Sequence, residues 1–289
     1  MSEKMETLVE EYRGGALSRR TFMSRLITIT GSMAAAHLLL ESSGVADTLI
    51  SPIESQQIKV ASETISYPST ADVNVSGYLS TPQGDGKHPA VIVIHENRGL
   101  NDHTRDVARR FAAAGFVALA PDALSRKGGT GSMASPDEAR AAITSLSAED
   151  AIADLKAGLV YLNGHPRVKS GQLGSIGFCW GGARSFTLAT ESELLKAAVV
   201  FYGSAPPLEK LAQVRCPVLG IYGETDERIT SHVPEVAEAM KAAGKPFEYK
   251  IYPGAGHAFF NDTGERYNAE AAKDAWQRTL TFFRTNLEK

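Results

Sequence analysis

Residues 173–190 demand a sharp reversal between a strand and a helix, and few local structures satisfy them. Leu173-Gly-Ser-Ile176 is a short run able to form a strand, and Gly182–Thr190 is a small-residue stretch suited to a closely packed helix. Between them lies Gly177-Phe-Cys-Trp-Gly181, a Gly-x-Cys-x-Gly turn. Glycines are needed on both sides of Cys179 because side chains flanking so tight a turn would collide. A nucleophile on such a strand–turn–helix elbow is held out at the end of a sheet strand. Taken alone, a cysteine in an apolar stretch is more often a small buried core residue, so Cys179 needs partners downstream. Cys216, in Val-Arg-Cys-Pro, reads as such a core residue.

The partners follow. Pro217–Tyr222 is an unbroken apolar run, hence a buried strand, and it ends in Gly223-Glu-Thr-Asp226. Phe247–Tyr252 alternates as another strand and ends in Pro253-Gly-Ala-Gly-His257. Cys179, Asp226 and His257 therefore stand at successive strand ends, in the order nucleophile, acid, histidine that marks an α/β-hydrolase. In an open parallel sheet those ends line the ligand crevice. His257 would remove the thiol proton, and Asp226 would fix the tautomer and orientation of its imidazole. Glu224 on the same loop is the rival acid. His37, His88, His103, His165 and His232 fall in the leader, loops or polar helical stretches and call for no functional reading.

The remaining pattern alternates strands and helices, the mark of an α/β fold with a mainly parallel central sheet flanked by helices on both faces. Ile58–Tyr67, Gly77–Thr81, Ala90–His95, Phe116–Ala120 and Ala197–Tyr202 read as further strands. Thr104–Ala114 reads as a helix capped by Asp102 or Thr104 and stopped at Gly115. Residues 136–164 are helical with a break near Leu146-Ser147; Val233–Ala243 is a helix, and Glu265–Asn286 a long closing one. Directly after the Ala90–His95 strand comes Glu96-Asn-Arg-Gly-Leu100, on the same sheet edge as the elbow. An amide from this loop, with that of the residue after the nucleophile, is what an oxyanion hole requires. The backbone N–H groups of Asn97 and Trp180 are the expected donors.

Composition excludes several classes. Of 289 residues, 56–289 suffice for one large core, and a net charge of −3 with interspersed signs gives no reason to expect nucleic acid. Two cysteines make no disulfide framework, and no Cys/His spacing suggests zinc. Neither Gly-x-x-x-x-Gly-Lys nor Gly-x-Gly-x-x-Gly occurs, so no cofactor is expected. The partner to expect is a small-molecule ester or lactone, for a monomer or a homodimer.

From about Ile58 to the C-terminus the chain resembles the dienelactone hydrolase family. His-Glu-Asn-Arg-Gly-Leu-Asn (95–101), Ala-Pro-Asp (120–122), Gly-Phe-Cys-Trp-Gly-Gly (177–182), the Asp226 loop and Gly-x-x-His (254–257) carry the likeness. The resemblance implies opening of lactones or esters through a thioester on Cys179. It also implies that Glu96 pairs with the resting thiol and takes its proton when substrate displaces it. In the family two arginines hold the substrate carboxylate. Arg126 matches the first, whereas the second position, four residues after the histidine, is Asn261, with Arg266 nearby. Loss of one guanidinium fork weakens planar carboxylate recognition. Trp180 would narrow the pocket and could stack on a planar acyl group, or serve as a lid over the elbow helix. The alternatives to a hydrolase are a redox-sensing or binding protein with Cys179 as an oxidisable thiol, and an acyltransferase.

Residues 1–55 carry a separate message. Leu17-Ser-Arg-Arg-Thr-Phe-Met23 looks like a twin-arginine export motif, followed by a 15-residue apolar stretch, Leu26–Leu40, too short to span a bilayer comfortably. Gly44-Val-Ala46 would serve as the cleavage site, placing the mature protein in the periplasm or outside the cell. The alternative is a cytoplasmic protein whose Ser18 caps an N-terminal helix docked on the domain.

Overall fold

The computed structural model describes residues 3–13, 17, 19–30, 60–70 and 72–288. Two helices, α1 (Glu3–Arg13) and α2 (Arg19–Thr30), precede an eight-stranded sheet. The strands are β1 (Val60–Pro68), β2 (Asn74–Pro82), β3 (His88–Ile94), β4 (Val117–Pro121), β5 (Val168–Phe178), β6 (Leu195–Phe201), β7 (Val218–Gly223) and β8 (Phe247–Tyr252). Their order is β1-β2-β4-β3-β5-β6-β7-β8, with β1 and β2 antiparallel and every pairing from β4 to β8 parallel. This is the α/β-hydrolase fold.

The inner parallel strands are mostly apolar because both faces are covered, and alternate residues serve opposite cores, whereas the edge strand β8 carries Glu248 and Lys250. Val91 and Val93 of β3 face a cluster with Val107, Phe111, Trp276 and Phe283. Ala90, Ile92 and Ile94 face the other, with Leu155, Leu159, Phe186 and Met240. The first face is covered by α3 (Asp102–Ala113) and the last helix, α9 (Ala269–Leu287). The second is covered by α5 (Ala148–Gly164), α6 (Trp180–Glu191) and, after the short α7 (Glu227–Thr230), α8 (Val233–Ala242). Each fully buried Phe or Leu contributes about 2 kcal/mol of transfer free energy.

Several boundaries differ from the sequence expectation for local reasons. Helix α3 is capped not by Asp102 or Thr104 but by Asn101, whose Oδ1 accepts from the Thr104 N–H at 3.1 Å. The closing helix starts at Ala269 rather than Glu265, because Asn268 caps it by accepting from the Ala271 N–H. The expected break near Ser147 is present: α4 (Pro136–Thr144) ends before it, and Ser147 caps α5. Helices α1 and α2 form a hairpin with its own small core of Met5, Leu8, Val9, Tyr12, Phe22 and Leu26. The remainder of the apolar stretch beyond Thr30, and the proposed cleavage site at 44–46, lie outside the described residues. Among the described residues no helix is long and apolar enough to cross a membrane.

Candidate active site

The turn after β5 is the sharp elbow that its glycines require. Cys179 has φ 55° and ψ −114°, a conformation an L-residue adopts only under constraint. A Cβ at Gly177 would lie 1.9 Å from the Gly181 carbonyl oxygen, and one at Gly181 would lie 2.4 Å from that of Ile94. The Cys179 N–H donates to the Phe201 carbonyl at 3.0 Å, which fixes the elbow to β6. Helix α6 begins at the next residue, so the first N–H groups after the thiol lack intrahelical acceptors.

His257 and Asp226 meet. Nδ1 of the imidazole lies 2.5 Å from Asp226 Oδ2, and both side chains are largely shielded from water. Glu224 is exposed and instead accepts from the Gly254 N–H at 2.9 Å, bracing the histidine loop. Both Cys179 and His257 line one cleft of about 910 Å³, together with Glu96 and Asn97. Glu96 is gripped from two sides: the Tyr202 hydroxyl donates to Oε1 at 3.4 Å and Asn261 Nδ2 donates to Oε2 at 3.2 Å. Burial, and next the Glu96 charge, push the Cys179 thiol up to about 11, while the Trp180 N–H on the sulfur pulls the other way. The Cys179 thiol is therefore protonated at neutral pH.

Two expected substrate contacts lie elsewhere. Arg126 is occupied by Asp154 in a two-pronged ion pair, Nε to Oδ2 at 2.8 Å and Nη2 to Oδ1 at 2.9 Å, with Asp150 at 3.1 Å. It does not line the cleft. The Trp180 indole stacks on His95, centroids 5.6 Å apart and planes 14° apart, and packs against Leu124 and Ile143. Trp180 is absent from the cleft lining, whereas its backbone N–H lies on the Cys179 sulfur. The cleft wall carries Arg98, Arg140, Arg228 and Arg266 instead, none ion-paired among the described residues. Sequence reasoning gave no role to Tyr202 or to Asn261 as a holder of Glu96. Tyr202 follows directly on a buried strand and could have been found by the same strand-end logic that found Asp226. Among the described residues no three His, Cys, Asp or Glu side chains gather as a metal site.

Ser24 and Ile27 of α2 also line the cleft. The sequence expectation of a docked helix and that of an export signal thus fall on the same residues.

Comparison with known proteins shows the family and the fold. The sequence model of the dienelactone hydrolase family matches residues 75–287. A Methylorubrum extorquens protein provisionally named carboxymethylenebutenolidase is 31% identical over 285 residues, 93% of this chain and 95% of the relative. A Saccharolobus solfataricus protein with the same provisional name is 38% identical, covering 73% of this chain and 93% of its own length. The crystal structure of a provisionally named dienelactone hydrolase from Klebsiella pneumoniae superposes with a TM-score of 0.72 at 32% identity, over 78% of this chain and 98% of that one. With the family's sequence model spanning the sheet from β2 to the end of α9, the chain belongs to the dienelactone hydrolase family.

Proposed function

We propose that the chain opens small lactones or carboxylic esters by nucleophilic catalysis at Cys179, with His257 and Asp226 as base and orienting acid. The observation that carries this reading is the 2.5 Å His257–Asp226 pair in the same cleft as a cysteine held in an elbow conformation. Before substrate arrives, burial and next the Glu96 carboxylate keep the proton on sulfur. Once a carbonyl enters, Nε2 of His257 takes the thiol proton and sulfur bonds to the carbonyl carbon. The oxyanion forms against the Asn97 and Trp180 amides. Its collapse breaks the carbon–oxygen bond, and the leaving oxygen takes the proton from His257; in a lactone that oxygen stays on the acyl chain. Water then gives a proton to His257 and attacks the thioester, releasing the acid and returning the thiol.

Arg98, Arg140, Arg228 and Arg266, none ion-paired among the described residues, outnumber Glu96, Asp102 and Glu265 on the same wall, which supports an acyl group bearing a negative charge. A redox-sensor reading is disfavoured by the raised thiol, since sensor cysteines are low-pKa thiolates.

A panel of p-nitrophenyl esters and small lactones, neutral and acidic, tests the proposal with wild type and Cys179→Ala. The wild type should prefer acidic members and carry an acyl adduct on Cys179 in the mass spectrum, and the variant should be inactive. Turnover that survives in Cys179→Ala would overturn the assignment.

A further inference from the structure

We infer that His95 is a positioning residue that aims the Asn97 amide into the oxyanion hole. The inference rests on the hydrolase reading above. His95 is the residue after β3, fully buried and absent from the cleft wall. Its Nε2 faces the Ala123 N–H at 3.1 Å. An amide N–H can only donate, so Nε2 holds the lone pair, and the neutral ring carries its proton on Nδ1. That Nδ1–H donates to the Glu96 carbonyl oxygen at 2.6 Å.

One consequence follows from the planarity of the peptide group. The Glu96–Asn97 bond is trans, so its N–H points opposite to its C=O. Pinning the Glu96 carbonyl inward, onto the buried ring, turns the Asn97 N–H outward, to the side on which Glu96, Asn97 and Cys179 line the cleft. Among the described residues that N–H has no hydrogen-bond partner, which leaves it available to an oxyanion. Trp180 closes the arrangement. Its indole lies nearly parallel to the His95 ring, and the Arg184 guanidinium sits 5.2 Å from the indole centroid, so the imidazole is braced by a stacked ring that is itself held. The residue that donates one amide to the hole thereby clamps the residue that orients the other.

The ring's burial also disfavours its charged form. A protonated ring would place a hydrogen on Nε2 against the Ala123 N–H, so the neutral tautomer is the one this geometry accepts.

His95→Phe keeps a flat ring under Trp180 and removes both hydrogen bonds. Its kcat for an ester should fall by about 10²-fold with KM little changed, the loss seen when one oxyanion donor is removed. Affinity for an aldehyde that adds to the thiol as a tetrahedral hemithioacetal should fall in parallel. Alkylation of Cys179 by iodoacetamide, which builds no oxyanion, should not move. His95→Gln offers a carbonyl to Ala123 and an amide N–H to Glu96, and should recover most of the loss. Unchanged turnover in His95→Phe, loss of alkylation alongside it, or no recovery in His95→Gln would each overturn the inference. Should the Phe variant not fold, ¹⁵N shifts of the wild-type ring decide instead: a protonated Nδ1 and bare Nε2 support it, and the reverse tautomer overturns it. A wild type without ester turnover would remove the hydrolase reading, and the inference with it.

Discussion

At the scale of single residues, Cys179 bears a backbone cost that the core cysteine Cys216 does not, while burial raises both thiols. Its backbone sits at positive φ, a strain on the order of 1–3 kcal/mol, and its thiol is pushed up to about 11. Tyr202 at φ 39° and Ala258 at φ 64° are the other non-glycine residues at positive φ among those described, and both adjoin the same site. Strain concentrated this way is what a preorganised site requires. The thiol shift also makes a prediction whose sign is fixed by electrostatics. A carboxylate beside the sulfur opposes the thiolate, so removing its charge lowers the pKa. In a Cys216→Ser background, the iodoacetamide rate of the wild type should climb with pH toward a midpoint near 11. Glu96→Gln, which can still meet Tyr202 and Asn261, should move that midpoint down and quicken alkylation at neutral pH. A midpoint that stays put or rises would show that burial alone protects the thiol.

Among the elements, the parallel strands were the most legible in the sequence. Their apolar runs are long and bounded by loops of glycine, acid and histidine, so strand ends and site residues come from the same pattern. Helix starts were less legible, because a cap is a single side chain competing with its neighbours: Asn101, Asp102 and Thr104 all qualify by type. The partners of Glu96 were hidden for a different reason. Asn261 lies 165 residues from Glu96, and only the fold brings the two side chains together. Gly181 shows how tightly the elements are joined at the site. A Cβ there would meet the backbone oxygens of Ile94 and His95 at 2.4 and 2.5 Å, neither of which can yield as a side chain does. Gly181→Ala should therefore destabilise the fold by about 3 kcal/mol in urea unfolding, the upper end of ordinary overpacking costs, and abolish turnover. Gly164→Ala, at the end of α5 with open space around the added carbon, should instead be neutral or stabilising by up to about 1 kcal/mol. Equal effects of the two substitutions would contradict this account of the elbow.

For the molecule as a whole, the α1–α2 hairpin is the part whose place the sequence could not decide. A basic pair, an apolar stretch and a small-residue site describe an export signal, while the same residues in a helix describe a segment docked on the domain. The hairpin buries its own contacts: Tyr12 stacks on Phe22 with ring centroids 4.7 Å apart, inside a cluster separate from the two sheet cores. What it gives the rest of the molecule is a wall, with Ser24 and Ile27 on the cleft that holds Cys179. A wall whose described residues form a cluster apart from the sheet cores should be removable without unfolding the domain. Deleting residues 1–30 should leave the Tm of the sheet domain nearly unchanged and spare turnover of a small ester. The ratio of kcat/KM for a bulky ester over a small one should rise several-fold, because the added freedom lies at the cleft mouth and not at the thiol. Ile27→Ala should move that ratio in the same direction by less. On the export reading, cleavage near 44–46 would open the cleft at the moment of maturation, so precursor and mature forms would differ in the size of ester they accept. A ratio unchanged by the deletion would mean that the hairpin does not gate the cleft, and parallel loss of both activities would make it part of the folded domain.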